Sequence, residues 1–312
     1  MNRDCVVIVG SGLMGSGIAA ISALAGNKTI LVDTIISKAE TGIKNAINNI
    51  DELVGNNLAD QAAASHGKDL LIPSGNLEES LQQAKMVIEA IYENLQAKQE
   101  LFEKMDRQLP VEVPILSNTS GLRITDIAAR VKYPSRTVTT HFWFPAHLVP
   151  LVEVVMGNQT DEAVAVTVKE TLAKWGKAPV LVRKDLPGQL ANRILQAVIR
   201  EAVNIVATGL ASPEDVDTAV KMGMGIRFPA WGPLEHIDAV GLDLAVAVQD
   251  SVLPEISSAT ETNRHLTELV NNGDLGYKTG KGIYDWSQKD MDQLARGRNE
   301  FIIHALKKIR KK

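Results

Sequence analysis

Residues 141–155 read HFWFPAHLVPLVEVV. The second half, Val149 to Val155, has the composition of a buried β-strand, yet Glu153 stands in its middle. A carboxylate among valines is costly to bury unless a donor or a cation pairs with it. His141 lies just upstream, at the end of another β-like run, TVTTHF. Two neighbouring strands joined by a short loop can bring their ends within reach, so imidazole and carboxylate satisfy each other. Such a couple suits general acid–base chemistry: Glu153 fixes the imidazole tautomer and stabilises the imidazolium once His141 takes a proton. An ion pair that serves burial alone is the competing reading.

A second chemical feature opens the chain. VVIVGSGLMGSG places Gly10, Gly12 and Gly15 in G-x-G-x-x-G spacing directly after an apolar run, with Leu13 and Met14 in the same turn. A helix beginning there offers free N–H groups and a positive dipole end to a pyrophosphate. Gly10 permits the tight turn, Gly12 lets a phosphate approach the backbone, and Gly15 brings helix and strand together. A second β-like run, KTILVD, ends at Asp33, at the distance expected of an acid that grips a ribose diol. No arginine follows Asp33, so a 2′-phosphate would meet repulsion, and the cofactor expected is NAD rather than NADP. A structural glycine turn, an S-adenosylmethionine site and a flavin site are the other readings of this segment.

These residues need a scaffold. From 4 to 183, short apolar runs (CVVIVG, TILVD, MVIEAI, VPILSN, TVTTHF, PLVEVV and PVLVR) alternate with helical patterns such as NLQAKQELFEKMDRQL. Alternation at this spacing implies a largely parallel sheet covered on both faces. The first helix, LMGSGIAAISALAG, is rich in small residues and packs tightly. Beyond about 187 the strand signal vanishes. PGQLANRILQAVIREAVNIVATGL reads as a long helix, Pro187 suiting its start and Gly209 its end. SPEDVDTAV opens another, with Ser212 as N-cap, Pro213 at N1 and Asp215 completing a capping box. The fold class expected is α/β: a Rossmann-like doubly wound sheet followed by an all-α C-terminal domain. Residues 1–185 form the NAD-binding domain and 186–312 the helical substrate and dimerisation domain.

Composition narrows the function. The chain has 312 residues, 45% hydrophobic and 22% charged, as in an ordinary soluble domain pair. A net charge of −4 excludes the basic face a nucleic-acid surface needs. The single cysteine, Cys5, gives no disulfide framework and suits a reducing cytosol, so a cytoplasmic location is expected. The glycine turn interrupts the N-terminal apolar run too early for a signal peptide. No apolar stretch is long enough for a membrane span, and no metal is called for. The basic end KKIRKK reads as the solvated last turn of a helix.

Taken together, the motifs resemble those of the L-3-hydroxyacyl-CoA dehydrogenase family. GSGLMGSGIA is similar to its cofactor turn, IEAIYENLQAKQELF to the segment leading into the nicotinamide half, and SNTSGLRIT to its serine loop. LPGQLANRIL resembles the opening of its second domain, and WGPLEHIDAVGLD and GYKTGKGIYDW resemble its C-terminal signatures. The resemblance implies NAD-dependent hydride transfer on a 3-hydroxyacyl-CoA, as in fatty-acid metabolism, with His141 as general acid/base held by Glu153. It implies further that Ser120 hydrogen-bonds the substrate oxygen, that Asn192 contacts His141 or the substrate, and that Glu93, Lys98 and Asn118 line the cofactor. Plain turn, helix-capping and surface roles compete for Ser120, Asn192 and the other three. A homodimer through the helical domain is expected, both from the resemblance and from the broad apolar face along 190–206, more than one chain buries.

Two departures bear on substrate. The family pattern H-F-F-N-P becomes HFWFP, so Phe144 replaces an amide that would meet the acyl carbonyl. Acyl-CoA users in the family hold the nucleotide with lysines after the second strand, where this chain offers only Lys38, Lys44 and Lys68 among several acids. Relatives acting on free hydroxy acids, the L-gulonate and carnitine dehydrogenase-like members, share PLVEV, and Arg227 in IRFPAWGPLE would suit a substrate carboxylate. The GLMG turn is also similar to that of the β-hydroxyacid dehydrogenases, which rely on a lysine in the interdomain helix. GQLANRILQAVI has Asn192 and Arg193 but no lysine. A non-catalytic dinucleotide-binding protein is the third reading; it has no need of a buried general base.

Overall fold

The computed structural model describes residues 3–309; Met1, Asn2 and the end of the basic KKIRKK run lie outside the described residues. The chain forms two compact units. The first extends to Ala191 and takes in the chain again from Asn299, and the second is Asn192–Arg298.

The first unit is built on eight strands: β1 Cys5–Val9, β2 Lys28–Val32, β3 Leu71–Ser74, β4 Ala84–Glu89, β5 Ile115–Ser117, β6 Thr137–Phe142, β7 Leu151–Met156 and β8 Ala178–Val182. They form one sheet in the order β3-β2-β1-β4-β5-β6-β7-β8. Every pairing is parallel except β6 with β7. Seven of these strands are the apolar runs of the sequence. β3 is the addition. Its four residues, LIPS, include Pro73, which weakens a strand signal and is tolerated only at a sheet edge, where β3 lies.

Helices α1 Leu13–Leu24, α2 Ile36–Gly55, α3 Gln61–Asp69, α4 Leu77–Gln82, α5 Leu95–Gln108, α6 Ile124–Ile127 and α7 Glu162–Lys174 complete this unit. Small residues let α1 bury most of its length, Gly15 to Ala23. A Cβ on Gly17 would approach that of Ala146 to 2.9 Å. Two apolar clusters form, one joining α1, Ile18 and Phe142, the other Phe102, Met105 and Ile115. At the N-terminal edge of β6, away from the glycine turn, the fully buried Arg136 pairs with Asp106 at 2.7 Å and donates to the carbonyls of Asp106, Pro110 and Val113.

The second unit is helical: α8 Ala191–Ala207, α9 Pro213–Ala219, α10 Pro233–Val240, α11 Leu242–Val252 and α12 Arg264–Asn271, with the start of α13 Met291–Ile309. Ser212 caps α9 by accepting from the Asp215 N–H; the Asp215 carboxylate accepts from the Ser212 hydroxyl rather than from its N–H, so the capping box is formed in its first half only. The end of α13 returns to the first unit, where Ile303 and Leu306 enter the core. The helix expected from Pro187 begins at Ala191 instead. Gly188 and Gln189 have left-handed φ of 79° and 52°, which no α-helix continues. Val203 is the one buried apolar residue of the second unit among the described residues. No helix there or in the first unit is long and apolar enough to cross a membrane, among the described residues.

Candidate active site

The glycine turn follows β1 at the point where strand order reverses, β2 on one side and β4 on the other. Gly10 has φ +109°, and a Cβ there would lie 2.5 Å from the Ala90 carbonyl oxygen. A Cβ on Gly15 would meet the Gly10 oxygen at 1.8 Å. Neither position admits a side chain. At Gly12 nothing lies within 4 Å, so the backbone is open to a ligand. Gly12 is the N-cap of α1 and makes no side-chain cap, which leaves the first N–H groups of the helix, those of Leu13 and Met14 included, without intrahelical partners. The Leu13 side chain is 72% exposed, so this residue serves the turn through its backbone.

Asp33, at the end of β2, accepts from the Ser11 N–H at 3.2 Å and the Ser11 hydroxyl at 2.6 Å. Burial works to raise its pKa, but these bonds and those from Ile35 and Thr34 hold it below the ordinary carboxylate value. Ser11, set between two of the glycines, is thereby the partner of Asp33. Turn and carboxylate share a cavity of about 920 Å³ whose lining includes Gly10, Gly12, Asp33, Lys38, Ala90 and Tyr92. Open N–H groups beside an ionised, diol-spaced carboxylate fit the adenosine diphosphate half of NAD.

The imidazole and its carboxylate are cross-strand neighbours. In the antiparallel β6–β7 pair, His141 is directly opposite Glu153, so both side chains leave the same face. His141 Nδ1 and Glu153 Oε2 are 2.7 Å apart. The same oxygen accepts from the Trp143 indole N–H at 3.0 Å, and Oε1 accepts from the N–H groups of Leu190 and Ala191 at 2.9 and 2.8 Å. Burial of this fully enclosed group works to raise its pKa; the four donors outweigh it and bring the pKa down to about 2. An ionised carboxylate only accepts, so Nδ1 carries a proton, and in the neutral form of the ring the lone pair is on Nε2. Ser120 Oγ lies 3.1 Å from Nε2.

The serine loop is tethered by Glu93. Its Oε1 accepts from the Thr119 hydroxyl and from the N–H groups of Ser120 and Gly121, and Oε2 is 3.3 Å from Lys98 Nζ. Burial opposes ionisation of Glu93, but the Thr119 bond and the Lys98 charge hold its pKa below the ordinary value. Lys98 is fully buried. Its other contacts are Glu89 Oε1 at 2.6 Å and the Ile91 carbonyl at 3.4 Å, so all three ammonium donors are spent inside the protein. Lys98 therefore reaches the site through Glu93. Glu89 was not singled out from sequence; it ends β4 and accepts from Ser117 at 2.6 Å as well. Asn118 uses Oδ1 to accept from the Phe142 N–H at 2.9 Å, bracing the end of β6. Asn192, in the first turn of α8, makes no side-chain hydrogen bond among the described residues. Phe144, three residues after His141, has its ring half exposed.

A doubly wound sheet with an open glycine turn, a carboxylate at the end of β2 and an imidazole–carboxylate couple has the make-up of a nicotinamide-dependent alcohol oxidoreductase. Residues 5–186 match the model of the 3-hydroxyacyl-CoA dehydrogenase NAD-binding domain, and residues 188–286 that of the family's C-terminal domain. The chain belongs to the 3-hydroxyacyl-CoA dehydrogenase family. It is 35% identical over 289 residues to a probable 3-hydroxybutyryl-CoA dehydrogenase of Bacillus subtilis, covering 91% of this chain and 98% of that protein. It is 30% identical over 292 residues to 5-formyl-3-hydroxy-2-methylpyridine 4-carboxylate 5-dehydrogenase of Mesorhizobium japonicum, covering 93% of each. A crystal structure of an enzyme of that name, described as an NAD+-dependent dismutase, matches with a TM-score of 0.89 at 29% identity over 97% of both chains. The protein is thus an NAD-dependent oxidoreductase acting on CH–OH groups.

Proposed function

We propose that His141 is the general base for oxidation of a 3-hydroxyacyl compound and that Glu153 and Ser120 complete the array. The observation that carries this reading is one imidazole with Nδ1 held by a buried carboxylate and Nε2 facing a serine hydroxyl. Bound NAD would supply the hydride acceptor for the carbinol carbon. Gly12 and the opening turn of α1 would hold its pyrophosphate, and Asp33 its ribose diol. His141 Nε2 removes the hydroxyl proton, while Glu153 keeps Nδ1–H in place and stabilises the imidazolium. A positioned base of this kind contributes roughly 10²–10⁴ in rate. Ser120 donates to the substrate oxygen.

The first reading of the substrate is a short-chain L-3-hydroxyacyl-CoA, which would place the enzyme in fatty-acid metabolism. The second is a free 3-hydroxy acid or related alcohol. Three observations favour the second. The ring of Phe144 replaces an amide, and Lys68 is engaged by Asp51 at 2.5 Å. In addition, the pyridine carboxylate dehydrogenase that this chain resembles is named for a substrate without CoA. Steady-state kinetics with NADH and acetoacetyl-CoA, beside NAD with free 3-hydroxy acids, tests both. A higher kcat/KM on acetoacetyl-CoA supports the first reading, and the reverse supports the second. In the second case Phe144→Asn should raise acetoacetyl-CoA reduction. No turnover of any 3-hydroxy or 3-keto substrate refutes the dehydrogenase role.

The protein acts as a homodimer on this reading. A helical unit with Val203 alone buried among the described residues, and with Leu234, Leu244 and Val246 exposed, needs a partner surface to cover it. Light scattering on the size-exclusion peak should give the mass of two chains; a stable monomer refutes this. A cytoplasmic location agrees with Cys5, a buried thiol whose pKa is pushed up to about 11 by burial and a bond to Asp4.

A further inference from the structure

One residue between the serine loop and the carboxylate combines two unfavourable features. Gln189 has φ 52°, in the left-handed region that favours glycine and asparagine. Its side chain is 6% exposed, yet Oε1 has no hydrogen-bond partner among the described residues. Buried unpaired amide oxygens are rare because each forfeits its hydration. A residue kept for stability alone would be glycine or asparagine at that φ, and apolar at that burial. Local strain and unpaired groups of this kind gather at functional sites.

The connections of Gln189 show what these features accompany. Its Nε2 donates to the Thr119 carbonyl at 3.0 Å, across 70 residues of sequence. Thr119 immediately precedes Ser120, whose hydroxyl faces His141. The next two N–H groups after Gln189, those of Leu190 and Ala191, are the pair that Glu153 Oε1 accepts. Two successive left-handed residues, Gly188 and Gln189, reverse the chain so that these groups aim at the carboxylate. Both sides of the imidazole are therefore referred to one turn.

We propose that Gln189 is a positioning residue for the acid–base array: its carboxamide holds the Ser120 loop against His141, and its left-handed turn delivers two donors to Glu153. This rests on the reading of His141, Glu153 and Ser120 as the catalytic group, and it adds to the Glu93 tether a second contact that fixes their mutual distances. A merely structural role would change stability and leave the imidazole environment alone.

The test compares Gln189→Asn, Gln189→Met and Ser120→Ala with the wild type in the full-length protein. Asparagine suits a left-handed turn but is one methylene short of the Thr119 carbonyl; methionine keeps the length and lacks the amide. The readout is the nitrogen NMR spectrum of the His141 imidazole across pH, which requires no substrate. In Gln189→Asn the Nε2 resonance should move toward its position in Ser120→Ala, while the NADH dissociation constant stays at the wild-type value. On whichever 3-hydroxy substrate the wild type oxidises, kcat should fall between about tenfold and a hundredfold. A Gln189→Asn protein whose Nε2 resonance stays at the wild-type position while Ser120→Ala is displaced overturns the proposal. If Gln189→Met fails to fold, Gln189→Asn decides. If the wild type oxidises none of the substrates, the dehydrogenase reading fails by itself, and the imidazole spectra still decide the role of Gln189.

Discussion

Replacing Glu153 with glutamine tests the array at its most constrained point. All four partners of the carboxylate are donors: His141 and Trp143 on Oε2, Leu190 and Ala191 on Oε1. Glutamine offers one oxygen and an NH₂ group that donates. The two backbone N–H groups cannot reverse, so the oxygen turns to them and the NH₂ faces His141 and Trp143. Imidazole answers by moving its proton from Nδ1 to Nε2, the nitrogen that must be empty to accept a proton from substrate. Wrong-tautomer variants of a comparable serine-protease triad lose about 10⁴ in kcat, and loss of a general base costs roughly 10²–10⁴. We expect a fall in kcat for alcohol oxidation within that range, with NADH binding by fluorescence titration unchanged.

Stability follows the same carboxylate. A fall in pKa from 4.5 to about 2 corresponds to about 3 kcal/mol of preference for the charged form in this fully buried site. The folded protein binds fewer protons than the unfolded chain between these values. The contribution is therefore complete above pH 4.5 and is lost as pH falls toward 2. In urea titrations the wild type should exceed Glu153→Gln by up to about 3 kcal/mol at neutral pH, with the gap closing through that acid window. A variant with kcat near the wild-type value and an undiminished gap in acid would refute the reasoning.

Asp33→Ala removes the acid assigned to the ribose diol and should weaken NADH about tenfold to a hundredfold, as charged hydrogen bonds are worth. The discrimination against NADPH should narrow in the same titrations. Arg136→Met leaves Asp106 charged and buried without its partner, so urea denaturation should show a loss of about 3–5 kcal/mol. The kcat of the folded fraction should be unchanged. His147, buried beside Glu52 at 2.7 Å, has its pKa lowered by burial against the opposing pull of Glu52. The unfolded chain binds that proton more readily, so stability should drop as pH falls below 6.5, and His147→Gln should flatten that slope.

Much of the molecule was legible in the chain because its causes are local. Gly10, Gly15 and Asp33 follow from what one turn and one strand end demand of their own residues. Seven of eight strands declared themselves as short apolar runs, and the buried Glu153 among valines called for a donor before any partner was in view. The strand that escaped, β3, is four residues with a proline, below what a local pattern can carry. The start of α8 escaped for another reason: Pro187 suited a helix, but Gly188 and Gln189 turn the chain the other way, and the N–H groups of Leu190 and Ala191 are taken by a carboxylate 37 and 38 residues back.

What only tertiary structure decided is how the donors and acceptors are shared out. Sequence proposed one partner for Glu153; folding supplied four, and these set its pKa. The resemblance placed Lys98 along the cofactor; folding adds that its three donors meet Glu89, Glu93 and a carbonyl. Ser11 for Asp33, Thr119 for Gln189 and Asn118 for Phe142 are pairings between segments that no spacing rule connects. The physical reason is the same in each case. Backbone sterics and apolar periodicity act over a few residues and are written along the chain, but hydrogen bonds and burial depend on which distant segments the sheet order brings together.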